Sequence, residues 1–375
     1  MSFNQYTWDL YKQTTIGIEM IKYFSDAGGY VSFKDYCPYA NFIPEDLYND
    51  WLENIYCYGV SDYDHPCSLE EAKDLYISLI TLGIRVEGQQ WLPANDFKNM
   101  LGIIQPMSYV LSQFAPEYFF PYLFLCRIFE LNKIADFFNI DLPNIPKRTD
   151  YKGRCMYYWE LCEVFYLFRK ENGLSPADLW SFLYDFAPNN LPSEKIDMPK
   201  PSQVWFIGGR LYQEDKSLES KFWQSSPETK KGDILVHYET SPISAITCIE
   251  ISLTDGVIDP LFRYYGCIYI GNRINIPHIT LKELQTDEYF FKHPLVRKNF
   301  QGVNGWSVNS ENYSELLRMI KTKGFDIEVL PKLYAPTLPK DVIIEYEHDV
   351  EQQLLEPLLN SMGWYENCLL YTSDA

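Results

Sequence analysis

Residues 68–83 read SLEEAKDLYISLITLG. Leu69, Ala72, Leu75, Tyr76, Leu79 and Ile80 recur three and four apart, which predicts an amphipathic helix. Ser68 suits the N-cap, and Glu71 stands three residues on, the spacing of a capping box. Gly83 suits the C-terminal stop. SPADLWSFLYDFAP, residues 175–188, repeats this logic with Ser175 as cap, Pro176 at the first helical position and Asp178 in the first turn. MYYWELCEVFYLFRK, residues 156–170, is apolar almost all round and predicts a buried helix. Residues 1–187 therefore read as a mainly α-helical domain whose many aromatics fill its core.

The period then changes. PNNLPSEKIDMPKPSQ, residues 188–203, and LPKLYAPTLPKD, residues 330–341, are rich in proline and read as linkers. Between them VWFIGG, DILVHYE, ISAITCIEIS and CIYIGNRINI are short β-rich runs. Two helices follow. TLKELQ has Thr280 and Glu283 at capping-box spacing, and SENYSELLRMIK carries Tyr313, Leu316, Leu317 and Ile320 on one stripe. Short strands with a few helices predict a small α+β barrel, and the whole chain a multidomain protein.

Composition leaves that picture in place. The 375 residues are 46% hydrophobic and 22% charged, as in globular proteins. Apolar runs such as YFFPYLFLC, residues 118–126, are too short to span a bilayer. The start, MSFNQYTWDLYKQ, lacks a basic region followed by an apolar run, so no signal peptide is expected. The nine cysteines show no framework spacing and read as reduced thiols, which points to the cytoplasm. Charge adds more. The net value of −19 argues against nucleic acid. Residues 200–329, however, hold 15 of the chain's 32 basic groups against 16 of its 51 acidic ones. That segment is near neutral and has room for a local basic face.

Trp205 in a first strand, then Trp223, KKGDILVHYET, ISAITCIEIS and the Asp-Pro at 259–260 follow one another in a telling order. ITLKEL, HPLVRKNFQGVNGWSV and NYSELLRMI continue it. This ordered set, over about residues 200–323, resembles the EVE domains of the PUA-like superfamily. No single motif is specific; the order is. The chain departs where that family continues its first strand with a Ser-Glu-Pro element, here replaced by WFIGGRLYQED. The resemblance implies a PUA-like barrel over 204–329 that binds a modified base, with modified cytosine in DNA favoured. Relatives fused to nucleases act in modification-dependent restriction and phage defence in bacteria. HDVEQQLLEPLLNSMGW, residues 348–364, resembles the opening helix of a restriction-endonuclease-like domain, with Asp349 as cap, Leu354, Leu355, Leu358 and Leu359 as a ridge, and Pro357 as a kink. A nuclease domain beginning at 342–367 would take Mg2+. CLLYTSDA, residues 368–375, resembles translated sequencing adapter, so the native sequence is expected to stop near Asn367.

A base reader needs an apolar slot with planar walls, since base–aromatic stacking is worth about 1–3 kcal/mol per base. Trp205, Trp223 and Tyr238 are the candidate walls; Gln224 and Ser241 are candidates for hydrogen bonds to the base edge. Lys230, Lys231, Arg263, Arg273, Arg297 and Lys298 are candidate phosphate contacts. Without the resemblance, the same aromatics read as barrel core. The chain contains no phosphate-binding glycine loop, nucleophile elbow or His-Glu-x-x-His pattern, and no catalytic residues are assigned. His65 and Cys67 in DHPC lack a second ligand pair, so no metal is expected there. His237, His278 and His293 have no evident nucleophile partner. The expected function is modified-base recognition. The alternatives are an RNA-binding PUA-like module in RNA modification or translation, and a non-catalytic interaction scaffold.

Overall fold

The computed structural model describes residues 3–25, 53, 55–56, 60–86, 89–125, 127–192, 198–210, 220–333 and 346–361. Much of the second expected linker and all of residues 368–375 lie outside these. Among the described residues, no helix is long and apolar enough to cross a membrane. The chain divides into two compact units, Met1–Ile196 with Val257–Cys267, and Asp197–Gly256 with Ile268–Ala375. The division at 196/197 falls inside the first Pro-rich stretch. Segment 257–267, expected within the barrel, instead groups with the helices.

The first unit contains helices α1 (Gln5–Tyr11), α2 (Thr15–Ser25), α3 (Leu69–Leu82), α4 (Phe97–Met100), α5 (Ile104–Phe114), α6 (Ile128–Phe138), α7 (Tyr151–Glu171), α8 (Pro176–Ser181) and α9 (Ala187–Asn190). A two-stranded antiparallel ribbon, β1 (Ile84–Val86) with β2 (Gln89–Leu92), accompanies them. Helix α7 buries Tyr158, Trp159, Leu161 and Phe165, as its near-uniform apolar character requires. Trp159 meets Tyr76 and Phe119, and Phe165 meets Phe120 edge-on. Ser175 and Asp178 form a full capping box at α8. At α3 the Ser68 hydroxyl accepts the Glu71 N–H, but the Glu71 carboxylate accepts from Cys67 N, one residue earlier than a capping box places it.

The excursion of 257–267 has a visible cause. Arg154 of α7 is 1% exposed. Its Nε donates to Pro260 O at 2.8 Å, Nη2 to Phe262 O at 2.7 Å and Nη1 to Arg148 O at 2.9 Å. A buried guanidinium needs such acceptors, and a tight turn at 259–262 supplies two of them. Asp259 Oδ1 shapes that turn by accepting from Leu261 N and Phe262 N.

The second unit is built on a mixed sheet. Its strands are β3 (Val204–Gly209), β4 (Ser220–Gln224), β5 (Ile234–Glu239), β6 (Ala245–Ser252), β8 (Gly266–Thr280) and β9 (Trp306–Val308), in the order β4-β8-β6-β5-β3-β9. A short strand β7 (Val257–Ile258) pairs with the start of β8. β3 and β5 are parallel, with Val204 opposite Ile234 and Gly209 opposite Glu239. β5–β6, β6–β8 and β3–β9 are antiparallel. Alternation sorts the side chains onto two faces. Val204, Phe206, Ile234, Val236, Tyr238, Ile249 and Ile251 join the large core. Against it pack α10 (Leu281–Thr286), α11 (Pro294–Arg297) and α12 (Ser310–Thr322), through Leu284, Leu295, Val296, Leu316 and Ile320. Thr280 and Glu283 form the predicted capping box of α10. Trp205, Ile207, Leu235, Ile268 and Ile270 form a smaller cluster on the other face, with Trp223 packed on it.

The tail from 347 to 361 is helical with a widened π turn at Glu351–Leu355, directly before Pro357. Proline has no N–H to donate and its ring crowds the carbonyl four residues back, which explains the widening there. Among the described residues of this tail none is buried.

One carboxylate ties the start of the sheet together. Asp233 is 1% exposed. Its Oδ1 accepts from Gln203 N and Ser202 Oγ, both at 3.2 Å. Its Oδ2 accepts from Trp205 Nε1 at 2.9 Å and Lys230 N at 2.8 Å. Burial still holds its pKa above the usual carboxylate value. Both oxygens face two donors, so Asp233→Asn must turn an amide toward donors whichever way it flips. Urea denaturation should show a loss of about 3 kcal/mol, from donors left unsatisfied; a loss under about 1 kcal/mol would contradict this account.

Candidate functional site

The sheet curls until its two ends meet. Asn304, in the turn before β9, bridges them: its Oδ1 accepts from Gly208 N of β3 at 2.8 Å and from Trp223 Nε1 of β4 at 3.3 Å. Its Nδ2 donates to Gln224 Oε1 at 3.3 Å. Gly305 lies so close to the chain after β4 that an added Cβ would stand 2.6 Å from Ser226 N, and its φ is +76°. Glycine is required there on both grounds. The smaller apolar cluster thus occupies the inside of the curl, with the C-terminal ends of the parallel strands β3 and β5 side by side at its mouth.

Trp223 is the aromatic at that mouth. It is half-buried, its ring centroid lies 4.8 Å from that of His237 at 63°, and Gly209 passes beneath it. A Cβ on Gly209 would come within 2.5 Å of Trp223 Cζ2. Gly209, the last residue of β3, therefore leaves room for the indole.

Behind Trp223 stands a buried polar set. His237 of β5 pairs with Cys248 of β6, and Glu250 lies two residues on, so all three share the inner face. His237 Nδ1 is 3.1 Å from Glu250 Oε2. Arg273 of β8 donates from Nε to Glu250 Oε1 at 2.7 Å, and its Nη2 is equally close. Burial acts to raise the Glu250 pKa, but His237 and Arg273 outweigh it, and the carboxyl lies below its usual range. Burial pushes the Cys248 thiol up to about 12. One imidazole nitrogen, the sulfur and one carboxylate oxygen lie within 4.8 Å of one another. His237 Nε2 is buried without a hydrogen-bond partner.

Of the five expected pocket residues, the structure brings together Trp223 and Gln224. Trp205 shares the face of Trp223 but is buried, with its indole N–H given to Asp233. Tyr238 points to the opposite face, where it stacks on Phe300 at 4.0 Å and 3° inside the large core. Alternation along β5 forces this: Tyr238 follows His237 and takes the other side. Ser241 is exposed beyond the end of β5, where its carbonyl accepts from Arg210 Nε at 3.1 Å.

The phosphate candidates are likewise separated. Arg273 is committed to Glu250. Arg263 is exposed in the segment that groups with the helical unit. Arg297 and Lys298 are exposed at the end of α11, on the helix-covered side of the sheet. Lys230 and Lys231 sit at the turn before β5, whose first residue lies three extended steps, roughly 10 Å, from His237. His65 stacks on Phe114 at 4.1 Å, and Cys67 is exposed beside it in the loop before α3. The residues missed by sequence reading are Asn304, His237, Cys248 and Glu250. Their signal was polar residues at inward positions of otherwise apolar strands, and asparagine in the Gly-Val-Asn-Gly turn.

No family model matches the chain, and no curated protein is significantly similar to it. Among solved structures, the chain is similar to the NMR structure of Rpa0253 from Rhodopseudomonas palustris, at 14% identity and a TM-score of 0.28, over 32% of this chain and 94% of that one. It is also similar to a hypothetical protein from Leishmania major, at 12% identity and a TM-score of 0.28, over 33% and 98% of the respective chains.

The geometry separates two tryptophans by role. The Trp205 indole N–H is locked to a buried carboxylate, whereas that of Trp223 is held by Asn304 near the mouth. In amide and indole exchange followed by NMR, Asn304→Ala should accelerate exchange at Trp223 Nε1 and leave Trp205 Nε1 protected. Equal acceleration at both would show a general loosening instead of a released clamp.

Proposed function

We propose that the second unit reads a nucleobase at the mouth of the curled sheet, and that the chain serves as a modified-base recognition module of a modification-dependent defence protein, with modified cytosine in DNA as its target. The observation that carries this reading is Trp223: a half-buried indole whose N–H is anchored by Asn304, backed by His237 and cleared by Gly209. A planar wall held in one orientation is what stacking on an extruded base requires, because extrusion costs a few kcal/mol that the pocket must offset. Gln224, beside Trp223, supplies an amide suited to a base edge. The ordered EVE-like motifs support the same reading, as does the near-neutral charge of residues 200–329.

The duty of wall falls on Trp223 instead of being shared with Trp205 and Tyr238. Phosphate contacts then come from cations exposed around the unit, and salt sensitivity reports their number. Arg210, exposed just past Gly209, is nearest in sequence to the mouth and joins Lys230 and Lys231 as a candidate.

The test uses the full chain at low salt with matched duplexes, one carrying a 5-modified cytosine. The modified duplex should bind more tightly. Trp223→Ala should remove the discrimination, at a loss of about 1–3 kcal/mol in binding, while the thermal melt stays cooperative. Equal affinity of the parent for both duplexes, or tighter binding to modified RNA, would overturn the reading. So would a Trp223→Ala chain that keeps full discrimination.

A further inference from the structure

From the buried cluster inside the curl we infer that His237, Cys248 and Glu250 bind one divalent transition-metal ion, zinc by ligand preference, with Arg273 holding the carboxylate in place. The donor set is an imidazole nitrogen, a sulfur and a carboxylate oxygen, all buried and within 4.8 Å of one another. Zinc is held at about 2.0–2.3 Å by these same three donor types, which puts tetrahedral ligands about 3.3–3.8 Å apart. The widest separation, up to 4.8 Å, closes by about 1 Å to reach that range. Mg2+ and Ca2+ prefer all-oxygen shells and fit the sulfur and nitrogen poorly.

Two independent features point to a ligand here. The first is the register: β5 and β6 present His237 directly opposite Cys248, with Glu250 on the same face, so rigid strands set the spacing. The second is the outer partner. Arg273 takes Glu250 Oε1 by two nitrogens and leaves Oε2 turned to His237, which fixes the carboxylate's orientation as outer partners of metal ligands do. Without a cation the buried sulfur is a neutral thiol. Binding displaces the thiol proton to solvent, and the ion supplies the counter-charge that the thiolate lacks. Three protein ligands leave a fourth position, and the half-buried Trp223 stands against His237 on the side of the mouth.

The experiment titrates Co2+, as a spectroscopic stand-in for zinc, into full-length chain stripped with a chelator. One equivalent should produce a thiolate-to-cobalt charge-transfer band and the intense visible bands of four-coordinate cobalt, and zinc should bleach both. Cys248→Ala should lose the charge-transfer band, while a band kept at parental intensity would assign binding to another cysteine and overturn the proposal. Absence of any band in the parent would overturn it as well. A second readout covers a variant that does not fold: stoichiometric zinc should raise the parent's melting temperature and leave that of His237→Phe unmoved. No zinc-dependent rise in the parent, or an equal rise in both, would overturn the proposal. None of these outcomes depends on nucleic-acid binding, so the metal site and the base-reading function stand or fall separately.

Discussion

Glu250 carries a charge into the middle of a sheet, where it is 2% exposed. An ion so placed costs several kcal/mol unless well-aimed partners surround it. His237 and Arg273 are those partners, one on each neighbouring strand, and they act only from the face that Glu250 occupies. That requirement sets the parity of three strands at once. With His237 turned inward, Val236 and Tyr238 must turn to the helices. With Glu250 inward, Ile249 and Ile251 must do the same. The division between a large helix-backed core and a small, partly polar interior follows from where this charge is answered.

The same parity decides which aromatics are free to meet a ligand. Tyr238 is spent on Phe300, and Trp205 on Asp233. Trp223 belongs to the end strand of the curl and is held across the seam by a single asparagine. It combines a fixed orientation with partial exposure, a pairing that core packing does not demand. Charge is arranged in keeping with this. The interior pairs its own ions, and the cations left exposed lie around the unit.

Much of the architecture was legible from local chemistry. The cap at Ser175 and the capping box at Thr280 form as read, because they depend on residues three apart and nothing further. The near-uniform apolar run of α7 is buried, and the change of period after residue 203 marks the change from helix to sheet. What stayed hidden was long-range. The register of β5 on β6 shifts between His237 and Tyr238, and that of β6 on β8 shifts between Ile246 and Cys248. Such irregularities exchange one face for the other and leave little trace in composition. The three candidate walls looked alike as sequence; only the pairing told Tyr238 from Trp223. Nor does any local signal send residues 257–267 to the helical unit, since that depends on Arg154, more than a hundred residues away.

The central claim is that a base meets this chain at Trp223. Photo-crosslinking addresses it without a variant: an oligonucleotide carrying a photoreactive pyrimidine at the modified position is irradiated with the full chain, and adducts are mapped by tandem mass spectrometry. The account predicts the dominant adduct on Trp223 or the adjoining Gln224. Adducts confined to the helix-covered side around Arg297, or to residues of the helical unit, with none in 220–226, would contradict it.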